Sequence, residues 1–261
     1  MIDVVTSWTE FRERWHDRQN FLLAGEVFPY RFDPPPLAEV IEAVRRNERS
    51  RIVTGRKADR SEATSTTSST YQDYRDLPLE EAVHARVQMS HFELNEFTDR
   101  GKIFSGLKDI LDRWYAALEA HGFAWSMSER AMFMSGPHSH TNYHFDSSHV
   151  LAWQVHGRKR FCFTKDPERW CDAEVRRVQA DHYELMQRPA DLGLDDIVEV
   201  EMKPGDVLWN VMLTPHWVYS LEEPSYSFNI THWGLRCDGE LSPIDAELDG
   251  VHREREKAAA R

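Results

Sequence analysis

From about Trp125 onward the sequence breaks into short segments rich in β-branched and aromatic residues, and this rhythm narrows the fold more than any other feature. The segments are Ala131 to Met134, Val150 to Val155, Arg160 to Thr164, Ile197 to Met202, Val207 to Val211, Trp217 to Leu221 and Tyr226 to Trp233. His156-Gly157, Pro204-Gly205 and Glu223-Pro224 separate several of them, and each is a turn-forming pair. Such a succession predicts a sandwich or barrel. Asp166 to Gln187 interrupts it with a charged segment of helical character, expected as an insertion between two halves of the barrel.

The chain ahead of this region has the helical period instead. Trp8, Phe11 and Trp15 share one helix face, as do Leu37, Val40, Ile41 and Val44 after the stop at Pro34-Pro35-Pro36. The strongest helix is expected from about Ser105 to His121, with Leu107, Ile110, Leu111, Trp114 and Leu118 on one side and Gly122 at its end. Ser61 to Thr70 is nearly all Ser and Thr, which predicts an exposed loop, with a lid over substrate as the rarer alternative. The expected organisation is a helical portion over residues 1–120 packed on the core, a β core over 121–236, and a polar tail over 237–261.

Composition limits the function classes. A chain of 261 residues can bury one large core but not two comfortable catalytic domains. A formal charge of −12 argues against a broad phosphate-binding face, so nucleic acid is not an expected partner. Cys162, Cys171 and Cys237 form no C-x-x-C pair and no zinc-ligand spacing, which suits a reducing cytoplasm. No apolar stretch is long enough to span a bilayer, and residues 1–12 do not have the pattern of an export signal.

His144-Phe145-Asp146 carries the first hint of chemistry. In extended backbone, residues i and i+2 project from one face, so a single ion can meet both side chains. A facial triad of two His and one carboxylate needs a third ligand from a distant strand, and His216, opening a strand after Pro204-Gly205-Asp206, is the candidate. Such a set suits Fe(II) and leaves positions open for oxygen and a cosubstrate. An H-x-D triplet alone is weak, and His140 and His149 stand as rival ligands. Lys159, beyond the Gly157 turn, can aim a cation into the same barrel mouth to hold a dicarboxylate; alternation puts Arg158 and Arg160 on the opposite face.

Thr141 to Asp146, Gln154 to Arg160, Lys203 to Trp209, His216-Trp217-Val218 and Ser227-Phe228-Asn229 together resemble the JmjC/cupin-8 family of 2-oxoglutarate oxygenases, in order and in spacing. The hypoxia-inducible-factor asparaginyl hydroxylase is similar in motif layout. The resemblance covers about residues 125–235. It implies a mainly β chain with helical elaborations, built on a double-stranded β-helix of jelly-roll, cupin/JmjC-like form. It further implies that His144, Asp146 and His216 bind Fe(II), that Lys159 and Thr141 hold the distal carboxylate of 2-oxoglutarate, and that Asn229 lies near this cosubstrate. The family chemistry couples decarboxylation of 2-oxoglutarate to succinate with O2-dependent hydroxylation of a small metabolite, an amino-acid derivative or a peptide or protein side chain.

Two stretches depart from the relative. Val150 stands where it has an amide near the cosubstrate, and Val211 to Pro215 replaces its Pro-Gly-Trp-Trp-like loop, although the step from Asp206 to His216 is kept. Several residues have plainer readings. Asn229 could equally satisfy backbone at a strand end, Asp206 reads as a turn residue, and Trp153, Trp209, Trp217 and Trp233 read as core more readily than as substrate platforms. Other function classes are a cupin metalloenzyme that does not use 2-oxoglutarate and a non-catalytic cupin-like binding module. A homodimer is left open.

Overall fold

The structure, a computed structural model, describes residues 2–54, 74–171 and 188–246. The loop expected at Ser61 to Thr70, most of the Asp166 to Gln187 insertion and the tail beyond residue 246 lie outside these residues.

Two sheets face each other. The large one has eight strands in the order β1-β2-β10-β7-β12-β6-β4-β3. Its centre is β6 (Met127–Ser135), β7 (His149–His156), β10 (Val207–Asn210) and β12 (Ser225–Trp233). β1 (Val4–Val5), β2 (Phe21–Leu23), β3 (Arg51–Thr54) and β4 (Val87–His91) extend it on both sides. All neighbours run antiparallel except β1 with β2. The small sheet is β11-β8-β9, from β8 (Lys159–Thr164), β9 (Ile197–Met202) and β11 (His216–Ser220). Single bridges His140 to Tyr219 and His144 to His216 lay residues 140–144 along the free edge of β11. This is the double-stranded β-helix that the resemblance implied, and it fits the sandwich or barrel that the segment rhythm predicted. A separate ribbon joins β5 (Phe123–Ala124), β13 (Arg236–Cys237) and β14 (Glu240–Leu241).

Three helices form where the apolar stripes placed them: α1 (Trp8–Arg14), α2 (Leu37–Arg46) and α3 (Leu107–Ala120). The Ser7 hydroxyl caps α1 by accepting from Glu10 N–H, as an N-cap serine does. The portion ahead of residue 120 is not helical alone, since it also supplies β1 to β4. These strands are two to five residues long and too short to show a period.

Alternation sends the two faces of the large sheet to different surroundings. Outward residues Leu151 and Trp153 of β7, Val207 and Trp209 of β10, and Phe228 and Ile230 of β12 join Phe11, Phe28 and Trp114 in the main core. The tryptophans Trp153 and Trp209 are thus structural, at 3% and 0% exposure. Inward residues Ala152 and Leu208 meet Phe161, Phe163, Val200 and Met202 in a smaller cluster. The sheet is therefore anchored from outside by helices, and its inward face is freed at both ends of that cluster for polar residues.

Candidate active site

The two ends of β11 define the site. In its register with β8, His216 pairs with Phe163, Val218 with Phe161 and Ser220 with Lys159. These alternate residues share the inward face. His216 lies at one end and Lys159 at the other, four positions away, which in extended backbone is about 13 Å.

At the first end, backbone pairing brings His144 onto the small sheet. His144 N–H donates to His216 O at 2.9 Å, and His216 N–H donates back to His144 O at 2.7 Å. Asp146 follows two residues on and is held by Leu213 N–H donating to Asp146 O at 2.8 Å. One ligand atom each from His144, Asp146 and His216 lies within 4.8 Å of the other two, a spacing one cation can bridge. Among the described residues this is the one such group of three or more potential ligands.

The donor set is also prepared chemically. His144 Nδ1 lies 2.7 Å from Asn142 O, and His216 Nδ1 lies 2.9 Å from Thr214 O. A carbonyl can only accept, so each Nδ1 carries the proton and each Nε2 keeps its lone pair. Burial, reinforced by the neighbouring His144, pulls His216 down to about 4, against the raising effect of Asp146. A neutral imidazole is what a metal requires. Asn210 Nδ2 donates to Asp146 Oδ2 at 3.2 Å. This carboxylate partner was not anticipated, because an asparagine in a strand carries no motif of its own.

Lys159 occupies the second end. Gly157 makes its placement feasible: with φ +62°, it turns the chain from the large sheet into the small one, and a Cβ there would lie 2.3 Å from Pro224 O. Lys159 is 6% exposed, while Arg158 is exposed and pairs with Glu201 at 2.9 Å, as alternation required. Lys159 Nζ donates to Phe133 O at 3.0 Å and lies 3.4 Å from Ser227 Oγ. Among the described residues no carboxylate pairs with it, and burial alone pulls its pKa from 10.5 to about 7. An ammonium desolvated without a counter-anion is costly in a closed protein and suited to an anionic ligand.

The remaining residues fall around these two ends. Asn229 Oδ1 accepts from Ser227 Oγ at 2.9 Å, which extends the Lys159 contact into a chain, and its strand neighbours are the small residues Ala131 and Ala152. Thr141 stands against Val218, accepting from its N–H through Oγ1 at 2.8 Å, so its hydroxyl hydrogen is left to donate elsewhere. The rival histidines lie apart from the cluster. His140 bridges Tyr219, and buried His149 pairs with Asp245 at 3.0 Å on the outward side, stacked on Trp209. Asp206 accepts from Lys203 N–H at 2.9 Å and serves the turn. Val150, facing Asn210 across the strands, supplies no polar contact.

The fold is a double-stranded β-helix of cupin-like form in which two histidines and an aspartate converge at one mouth, at a spacing that one cation can bridge. Residues 109–236 match the family model of the JmjC domain. No curated protein matches the sequence. Solved structures similar to it include the ribosomal oxygenase YcfD from Escherichia coli in complex with cobalt and 2-oxoglutarate. That match has TM-score 0.55 and 17% identity and covers 89% of this chain and 53% of YcfD. A further YcfD structure matches with TM-score 0.56 at 17% identity over 89% and 54% of the two chains. YcfD in complex with cobalt and succinic acid matches with TM-score 0.53 at 16% identity over 98% and 58%. At this identity the likeness concerns the fold, and the chain spans little more than half the length of these structures.

Proposed function

We propose that the protein is an Fe(II)- and 2-oxoglutarate-dependent oxygenase that hydroxylates its substrate. The observation that carries this reading is the pairing of the His144, Asp146 and His216 cluster with an uncompensated, buried Lys159 on the same inward face. A metal cluster alone would suit many cupin chemistries. A desolvated ammonium about 13 Å along the strand calls for a ligand anionic at both ends, and a lysine side chain and a five-carbon diacid together cover such a span.

His144, Asp146 and His216 would hold the iron, with both imidazoles presenting Nε2. Lys159 would pair with the distal carboxylate, Thr141 would donate its hydroxyl hydrogen to the same group, and Asn229 would line the cosubstrate. Fe(II), when bound with 2-oxoglutarate, supplies O2 activation coupled to decarboxylation to succinate. The chain's own contribution is orientation and dryness: Ala152, Leu208, Phe161 and Phe163 form an apolar floor between the two polar ends. The substrate classes are a small metabolite, an amino-acid derivative or a peptide or protein side chain. The fold likeness to ribosomal oxygenases makes a protein side chain the first to test.

Succinate release with Fe(II), O2 and 2-oxoglutarate tests the reading. Wild-type protein is expected to release succinate, and both His216→Ala and Lys159→Ala to lose it. Retention of O2 consumption by Lys159→Ala would favour a metalloenzyme that does not use 2-oxoglutarate. No turnover by the wild type with any substrate class would favour a non-catalytic binding module.

A further inference from the structure

Asp146 does not stand alone at the mouth of the barrel. Its Oδ2 accepts from Asn210 Nδ2 at 3.2 Å, Asn210 Oδ1 accepts from Asn20 Nδ2 at 2.7 Å, and Asn20 Oδ1 accepts from Val211 N–H at 2.8 Å. Both asparagines are buried, at 3% for Asn20 and 2% for Asn210. In sequence they stand 190 positions apart, since Asn20 precedes β2 and Asn210 ends β10.

The chain of bonds has only one sense. A backbone N–H can only donate, so Val211 fixes Asn20 with its oxygen inward and its NH2 toward Asn210. Asn210 must then accept with its oxygen and turn its own NH2 to Asp146. That donor holds the Asp146 carboxylate in one orientation, with its other oxygen left for a metal. The direction is set by the Val211 backbone N–H, and two amides carry it to the ligand.

We infer that Asn210 and Asn20 are positioning residues for the metal centre, in which Asn20 acts through Asn210 to orient the Asp146 carboxylate. The inference rests on the proposed metal role of His144, Asp146 and His216. It also gives residues 19–23 a task beyond packing: the N-terminal segment that adds β2 to the large sheet also sets a ligand. Asn20 anchors both Val211 and Asn210, and the neighbouring Gln19 also donates to Lys165 O.

Titration of metal-free protein with Co(II) alone, without 2-oxoglutarate, tests this by the visible ligand-field absorption of bound Co(II). Asn20→Asp is nearly isosteric and keeps an acceptor for Val211, but has no NH2 for Asn210. Asn210 would then turn its NH2 toward the introduced carboxylate and its oxygen toward Asp146. Outer-shell partners of this kind change metal affinity by about 10- to 100-fold. Asn20→Asp and Asn210→Leu are each expected to weaken Co(II) binding by about tenfold or more and to alter the absorption band. The double variant is expected to be no weaker than Asn210→Leu alone, because one residue acts through the other. Near-UV circular dichroism identifies a variant that fails to fold, and Asn20→Asp then carries the test by itself. Wild-type affinity and an unchanged band in Asn20→Asp would overturn the inference. Absence of any Co(II) binding by the wild type would overturn the metal reading beneath it, a distinguishable result.

Discussion

Replacing Lys159 with methionine should make the free protein more stable near neutral pH while weakening the 2-oxoglutarate binding proposed above. The lysine has a pKa of 10.5 when solvated and about 7 when buried in the folded chain. Because the folded value is the lower one, its stability deficit is absent well above the unfolded pKa, grows as pH falls through that value, and is complete below the folded one. At pH 7 the unfolded chain gains about 5 kcal/mol from protonating this group, whereas the half-protonated folded state gains only a few tenths, a deficit of about 4 kcal/mol. At pH 9 the deficit shrinks to about 2 kcal/mol. Urea denaturation of wild type and Lys159→Met at both pH values isolates this residue, since other titrating groups cancel in the double difference. The wild type should gain about 2 kcal/mol more than the variant between pH 7 and pH 9. The variant should also bind 2-oxoglutarate at least about thirtyfold more weakly, from the loss of a charge-assisted bond worth about 2 kcal/mol. Parallel pH dependences in the two proteins would refute the claim that the ammonium is desolvated and unpaired.

Other outcomes follow from the same geometry. Gly157→Ala should cost about 1–3 kcal/mol and weaken 2-oxoglutarate binding, because its positive φ and the nearby Pro224 carbonyl force the turn before Lys159 to move; chemical denaturation and a binding titration read both effects. Trp114→Ala should cost about 3–5 kcal/mol by denaturation, yet leave Co(II) affinity of the folded protein unchanged, because Trp114 packs on the outward face of the sheet. Asn229→Ala should raise the dissociation constant for 2-oxoglutarate several-fold without affecting Co(II) binding, as measured by titration calorimetry of each ligand.

The sequence exposed some parts of this architecture far better than others. β7, β9, β10 and β12 were visible within a residue or two because apolar residues on one or both faces left a continuous signal. The sequence shows only Ala131 to Met134 of β6, because Ser128, Glu129 and Arg130 at its start are polar and leave no apolar signal, although they pair with β12 throughout. The strands β1 to β4 were missed because pieces this short take their conformation from the neighbours they pair with, not from their own composition.

The site divides the same way. His144 and Asp146 stand out as candidates by a local two-residue step, and His216 and Lys159 by their turns. The Asn20 to Asn210 relay depends on a contact across the whole chain, between two residues that separately look like ordinary strand-end asparagines. Local pattern cannot encode such a contact. The departure at Val150 was visible in sequence, but the proximity of Asn210 to that position appears only once the register of β7 with β10 is known.

The central claim is that two imidazoles and one carboxylate gather a single iron and leave room on it for a chelating diacid. Anaerobic titration with Fe(II) and 2-oxoglutarate tests it most directly, through the weak visible charge-transfer absorption of the chelated cosubstrate. The account predicts this band in the wild type and its loss in His144→Ala. A wild-type protein with full iron occupancy and no band would contradict it.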